Sequence, residues 1–162
     1  MRKKLKIWTG ICALLASLVG AGSCSNDPSA LVYEYHPVSF DGWNKTDTVT
    51  ITLPEVAQGG SYQGKIGVRT NARYPYPRIW MGVCQVLHHP DTVLLDTVSC
   101  RIVSRSDRGK NGIGLFLSEC FLPDYEYQAG QSGVIKIFHI MRREEVPGVG
   151  EVGLHIQPAQ KP

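Results

Sequence analysis

No acidic residue precedes Asp27, and no stretch of a dozen residues keeps a 3.6-residue apolar period without glycine or proline interrupting it. The second lack argues against a fold built on amphipathic helices. The first confines the excess positive charge to the amino terminus: Arg2, Lys3, Lys4 and Lys6 belong to the 17 Lys and Arg, whereas all 14 Asp and Glu come later. Without residues 1–23 the body carries a formal charge of −1, from 13 basic and 14 acidic side chains. A basic nucleic-acid-binding surface is thereby excluded as the leading idea, because such proteins keep their excess charge on the folded body. Also missing are a G-x-S-x-G elbow, a Walker loop followed by Lys-Ser/Thr, H-E-x-x-H and a G-x-G-x-x-G after a strand. No catalytic residue, metal site or cofactor is expected. What remains is 43% hydrophobic and 19% charged, with 17 Gly and 10 Pro in 162 residues, the composition of one globular domain.

The amino terminus is organised for export. The cationic stretch 1–6 precedes the apolar run 7–19 and the small residues Gly20-Ala21-Gly22-Ser23, the order of a secretory signal peptide. The apolar run is shorter than the roughly 20 residues that cross a bilayer. Ala21-Gly22-Ser23-Cys24 resembles the lipobox of bacterial lipoproteins. That resemblance implies a diacylglycerol on the Cys24 sulfur and cleavage before it; the alternative is ordinary cleavage that leaves a free thiol. Residues 1–23 are thus read as a lipoprotein signal peptide, 24–30 as a lipidated tether and 31–162 as a β-sandwich domain. The membrane is the expected partner through the acyl chains, since two or three of them anchor stably where one does not.

In the body, Val49, Ile51 and Leu53 alternate with Thr48, Thr50 and Thr52, which puts the apolar residues on one face of a strand. Val98, Cys100 and Ile102 repeat the pattern, as do Val152, Leu154 and Ile156. Less regular runs rich in β-branched and aromatic residues occupy 31–36, 62–70, 78–88, 112–122 and 133–141, with turn residues between them. About eight strands at this spacing predict a single-domain, all-β antiparallel sandwich, jelly-roll or immunoglobulin-like. Cys84, Cys100 and Cys120 each sit among apolar residues. They read as unpaired core thiols, or as one bridge with a spare.

Few clusters carry chemistry. His88-His89 is followed by Pro90, and neighbours on a strand point to opposite faces, so a strand-end turn is expected rather than a chelate. His36, His139 and His155 stand alone on predicted strands, facing solvent or a hydrogen-bond partner. Glu144-Glu145 follows Arg142-Arg143 and reads as a solvated charged loop. The sequence from Gly109 to Gly114 lacks the helix and the Lys-Ser/Thr of a phosphate loop, so a turn into a strand is expected. The densest candidate is the segment Arg69 to Trp80, where Arg69, Tyr74, Tyr76 and Trp80 are residue types that anchor interfaces and two prolines keep the chain extended. Its structural alternative has Tyr74 and Tyr76 capping one end of the sandwich and Arg69 bonded to loop carbonyls.

These residues carry a wider resemblance. The lipobox, Trp43 with Asp47, the string Arg69-Thr-Asn-Ala-Arg-Tyr74-Pro-Tyr76, Asp96-Thr97, Gly112-Ile-Gly114 and the tail from Met141-Arg142 through Pro147-Gly148 to Gly153-Leu154 resemble the gliding-motility lipoprotein H family, GldH, of the Bacteroidetes, over nearly the whole chain. The resemblance implies an outer-membrane lipoprotein without enzymatic chemistry, associated with other envelope proteins of the gliding and secretion machinery. Candidate partner contacts are Arg69, Tyr74, Tyr76, Trp80 and Arg142. Ser25-Asn-Asp27 is a poor acidic surface-export signal, so a periplasm-facing position is expected. Asp-Thr-Val at 47, 91 and 96 resembles the O-glycan attachment motif of that phylum, making Thr48, Thr92 and Thr97 candidates for glycosylation, although the triplet also suits a turn into a strand. The rival reading is a lipid-anchored carbohydrate-binding sandwich of a glycan-uptake system, with Tyr74, Tyr76 and Trp80 stacked on sugar rings; a hydrolase would need a cleft uniting Glu119 or Asp124 with a histidine.

Overall fold

The computed structural model describes residues 29–102 and 114–160. The leader, Cys24, most of the tether and the 109–113 part of the glycine-rich turn lie outside the described residues. Within them every regular element is a strand: β1 (Val32–Pro37), β2 (Trp43–Asn44), β3 (Val49–Leu53), β4 (Gly60–Thr70), β5 (Arg78–His88), β6 (Thr92–Arg101), β7 (Phe116–Phe121), β8 (Tyr125–Tyr127), β9 (Ser132–His139), β10 (Glu145–Val146) and β11 (Val149–Pro158). All pairings are antiparallel. One sheet has the order β1-β11-β4-β7, with β8 beside the start of β4; the other has the order β3-β9-β5-β6, and β2 pairs with β10 in a short ribbon.

Alternation sets the faces as the sequence predicts. Val49, Ile51 and Leu53, then Val98, Cys100 and Ile102, then Val152, Leu154 and Ile156 are all buried. They meet Ile66, Val68, Ile79, Met81, Val83, Ile135 and Ile137 in one core between the sheets. Polar bonds also cross that core. Tyr127, paired to β4, donates its hydroxyl to Gln85 Oε1 of β5 at 2.7 Å. Tyr125 donates to Asp96 Oδ2 of β6 at 2.9 Å. Burial raises the pKa of both phenols, so they stay protonated donors.

The three body cysteines are free thiols. Where the sheet edges meet, Cys120 of β7 donates its thiol to the Ile66 carbonyl at 3.8 Å, and its interaction with the Cys100 thiol of β6 lowers the Cys100 pKa and raises that of Cys120.

β1 begins at one end of the sandwich, beside the end of β11 and the start of β4. At the opposite end β4 leads through residues 71–77 into β5, and the β2–β10 ribbon closes the core. Trp43 is fully buried there, its indole N–H donating to the Asp47 carbonyl at 2.9 Å. His139 packs edge-on against it, with ring centroids 5.2 Å apart, and donates from Nε2 to the Trp43 carbonyl at 2.9 Å. Desolvation at this buried position lowers the His139 pKa.

Candidate functional site

The far end is held together by the two sequence strings that are most specific to the family resemblance. In the first, Asn71 Oδ1 accepts the Arg73 N–H at 2.9 Å, bending the chain directly after β4. In the second, Gly148 stands at φ +80 against that bend, where a Cβ would lie 2.4 Å from the Tyr74 nitrogen. Only glycine tolerates both that dihedral and that approach. The Asn71 N–H donates to the Gly148 carbonyl at 2.9 Å, so residues 69–76 and 141–154 form one structure.

That structure sorts the sequence-predicted contact residues. Tyr74 is buried at 6% exposure, donates its hydroxyl to the Arg78 carbonyl at 3.0 Å and has its pKa raised by burial. It is the corner cap of the structural alternative. Arg69 points to the outer face of its sheet, where it pairs with Glu151 and stacks over the Tyr35 ring at 4.3 Å. Its partner is therefore a carboxylate on β11 rather than loop carbonyls. Tyr76, Trp80 and Arg142 come together. With Ile140, Met141 and Arg143 they line an open groove of about 500 Å³. Its floor is fixed by the Ile140 N–H donating to the Trp80 carbonyl at 2.9 Å and the Trp80 N–H donating to the Met141 side-chain Sδ at 3.4 Å. Ile140 was not singled out by sequence reasoning, and Met141 was named only as the start of the family tail, because nothing local marks the end of β9 as a neighbour of β5.

Charge around the groove is segregated. Within Arg142-Arg143-Glu144-Glu145, the arginines line the groove, while Glu144 reaches Lys45 at 3.9 Å and Glu145 pairs with Asn44 in the ribbon. On the outer face beside the groove, Arg78 stands directly opposite Arg101, and its guanidinium donates to the Ser99 hydroxyl at 3.1 Å. Among the described residues, none of these four arginines has an ion-pair partner.

The family model for the GldH lipoprotein matches residues 30–156. The chain belongs to the GldH lipoprotein family. Among curated proteins none matches it in sequence. Solved structures that align with it include an uncharacterized Listeria monocytogenes protein in complex with glucose, magnesium and calcium, at 11% identity and a TM-score of 0.44, covering 79% of this chain and 11% of that one. A family 35 carbohydrate binding module from Clostridium thermocellum aligns at 12% identity and a TM-score of 0.39, covering 80% of this chain and 93% of that one. Dimeric latent PorU from Porphyromonas gingivalis aligns at 9% identity and a TM-score of 0.37, over 86% of this chain and 14% of that one. This GldH-family chain thus spans about a tenth of the Listeria protein's length.

The remaining predicted positions are dispersed. Thr48 and Thr97 are exposed, and Thr92 is half-buried with its hydroxyl donating to the Pro90 carbonyl at 3.3 Å. His88 ends β5 and meets Asp91 at 3.2 Å, His89 turns the chain at φ 61, and His36 lies 3.2 Å from Glu34. Glu119 is exposed on the outer face of the first sheet and Asp124 in the turn before β8, so neither joins the groove. Among the described residues no group of three or more His, Cys, Asp or Glu is placed to hold a metal ion, and no helix is long and apolar enough to cross a membrane.

Proposed function

We propose that this lipoprotein is a non-catalytic accessory component of the gliding and secretion machinery of the cell envelope. It is anchored in the outer membrane through acyl chains on Cys24, faces the periplasm and docks a membrane partner with the far end of its sandwich. The observation that carries this reading is the convergence of the two family strings on one groove, with Tyr76, Trp80 and Arg142 side by side. Anchoring confines the protein to two dimensions and raises its effective concentration for a partner in the same membrane, so a modest groove suffices. The tether joins β1 at the opposite end, which leaves the groove facing away from the lipid.

The carbohydrate-binding rival calls for coplanar exposed rings. Tyr74 is buried, and Tyr76 meets it edge-on at 81°, so the three rings do not make a flat platform. Affinity purification of the tagged, full-length protein tests the reading. Recovery of gliding or secretion subunits is expected, together with loss of membrane fractionation in Cys24→Ala; recovery of glycan-uptake proteins alone would overturn it.

A further inference from the structure

Among the described residues four arginines at or beside the groove have no acidic partner: Arg142 and Arg143 line it, and Arg78 and Arg101 stand opposite each other on neighbouring strands next to it. Like charges placed so are destabilising unless something outside answers them. The groove has an apolar floor of Tyr76, Trp80, Ile140 and Met141, with Trp80 47% exposed and Ile140 39% exposed. The acidic residues of the same loop turn away, Glu144 to Lys45 and Glu145 into the β2–β10 ribbon. An apolar trough rimmed by unanswered guanidinium groups complements an aromatic or aliphatic side chain flanked by carboxylates, which arginine receives in bidentate fashion.

We propose that the groove docks an acidic peptide segment of a partner protein carrying a large apolar side chain. This rests on the docking role given above and names the chemistry of what is docked. The anchoring bilayer is a poorer occupant: β5 runs the length of the sandwich, and the eight residue steps from Trp80 to its end at His88 place the groove about 26 Å from the end where β1 begins. Nucleic acid is poorer still, since the body as a whole carries −1.

The test uses the detergent-solubilised full-length chain at low salt and three probes: the labelled peptide Asp-Glu-Phe-Glu-Leu-Asp, its twin with every acid replaced by lysine, and glycerophosphoglycerol, the bare headgroup of an anionic lipid. The acidic peptide should bind saturably and about tenfold tighter than the lysine twin, a difference that salt erodes. Binding should be lost in Trp80→Ala and in Arg142→Glu/Arg143→Glu, and kept in Arg142→Lys/Arg143→Lys. Equal affinity for the two peptides, no saturable binding, a preference for glycerophosphoglycerol, or binding that survives the disruptive variants overturns the inference. All three positions are solvent-accessible, so the variants should unfold at the parent temperature; if they do not, the two peptides compared on the unmodified chain still decide. Should Arg142→Glu/Arg143→Glu fail to bind the peptide yet co-purify with the same envelope subunits, the groove is not their docking site and the accessory role stands.

Discussion

The patch around Tyr35 on the outer face of the β1-β11-β4-β7 sheet and the patch around Trp80 on that of the β3-β9-β5-β6 sheet share one pleat and treat their large side chains in opposite ways. On the first, Gly67 and Gly153 lie opposite each other and leave a trough that the Tyr35 ring fills. Arg69 covers that ring and Glu151 neutralises Arg69, so this patch answers its own chemistry, while Phe121 and Leu117 of β7 stay 65% and 43% exposed elsewhere on the same face. On the second, Val93 and Leu95 are 66% and 70% exposed, Trp80 stands beside Ile140, and Arg78 confronts Arg101. A patch that satisfies itself has little to offer a partner, whereas the patch around Trp80 stays open at the expense of wetted apolar surface and of charge with no ion-pair partner among the described residues.

The contrast persists only while the far end stays closed. Trp43→Ala should cost about 3–5 kcal/mol in urea unfolding, because it empties the fully buried plug on which His139 packs. The same end should respond to pH. The folded His139 pKa lies below its ordinary value of 6.5, so the unfolded chain takes up the proton first and stability falls as pH drops from about 6.5 through the lowered folded value. A His139→Gln variant should show a shallower fall in the urea midpoint between pH 7.5 and 5. Next in size, Gly153→Val should cost about 2 kcal/mol by evicting the Tyr35 ring, whose nearest atom a Cβ would meet at 2.4 Å. Leu95→Thr on the other face should stay within about 0.5 kcal/mol. Smallest and sharpest is the pair of charge changes. Arg69→Ala should destabilise by roughly 0.5–1 kcal/mol, a solvent-screened value for a pair that is partly exposed. Arg101→Glu should instead stabilise by a few tenths of a kcal/mol, since it replaces repulsion with Arg78 by attraction. Equal signs for these two changes in thermal unfolding would dissolve the distinction between the faces.

The strands that strict alternation predicts, at 49–53, 98–102 and 152–156, were legible because each has one dry face. The first half of β6 was not: Val93 and Leu95 point outward and Leu94 inward, so apolar residues on both faces erase the period of two. The two- and three-residue elements β2, β8 and β10 are too short to show a period at all. At the site, Tyr76, Trp80 and Arg142 were legible as residue types in two strings. Their meeting was not, since it depends on β9 pairing with β5 across some fifty intervening positions. Arg69 was read as an interface anchor because its carboxylate partner lies 82 residues away. Buried His139 could be expected to find a hydrogen-bond partner, yet no local pattern named the Trp43 carbonyl.

β1 lies at the edge of its sheet, in register with β11 from Val32 opposite Ile156 to Pro37 opposite Glu151. A pull on Ala30 opposed by a grip at the groove runs parallel to that strand, so it loads the whole ladder in shear. The bonds must then yield together instead of opening one after another like a zipper. Under the anchoring and docking proposed above, the domain would act as a mechanical coupling that resists tension along its length better than a peeling force applied at the side.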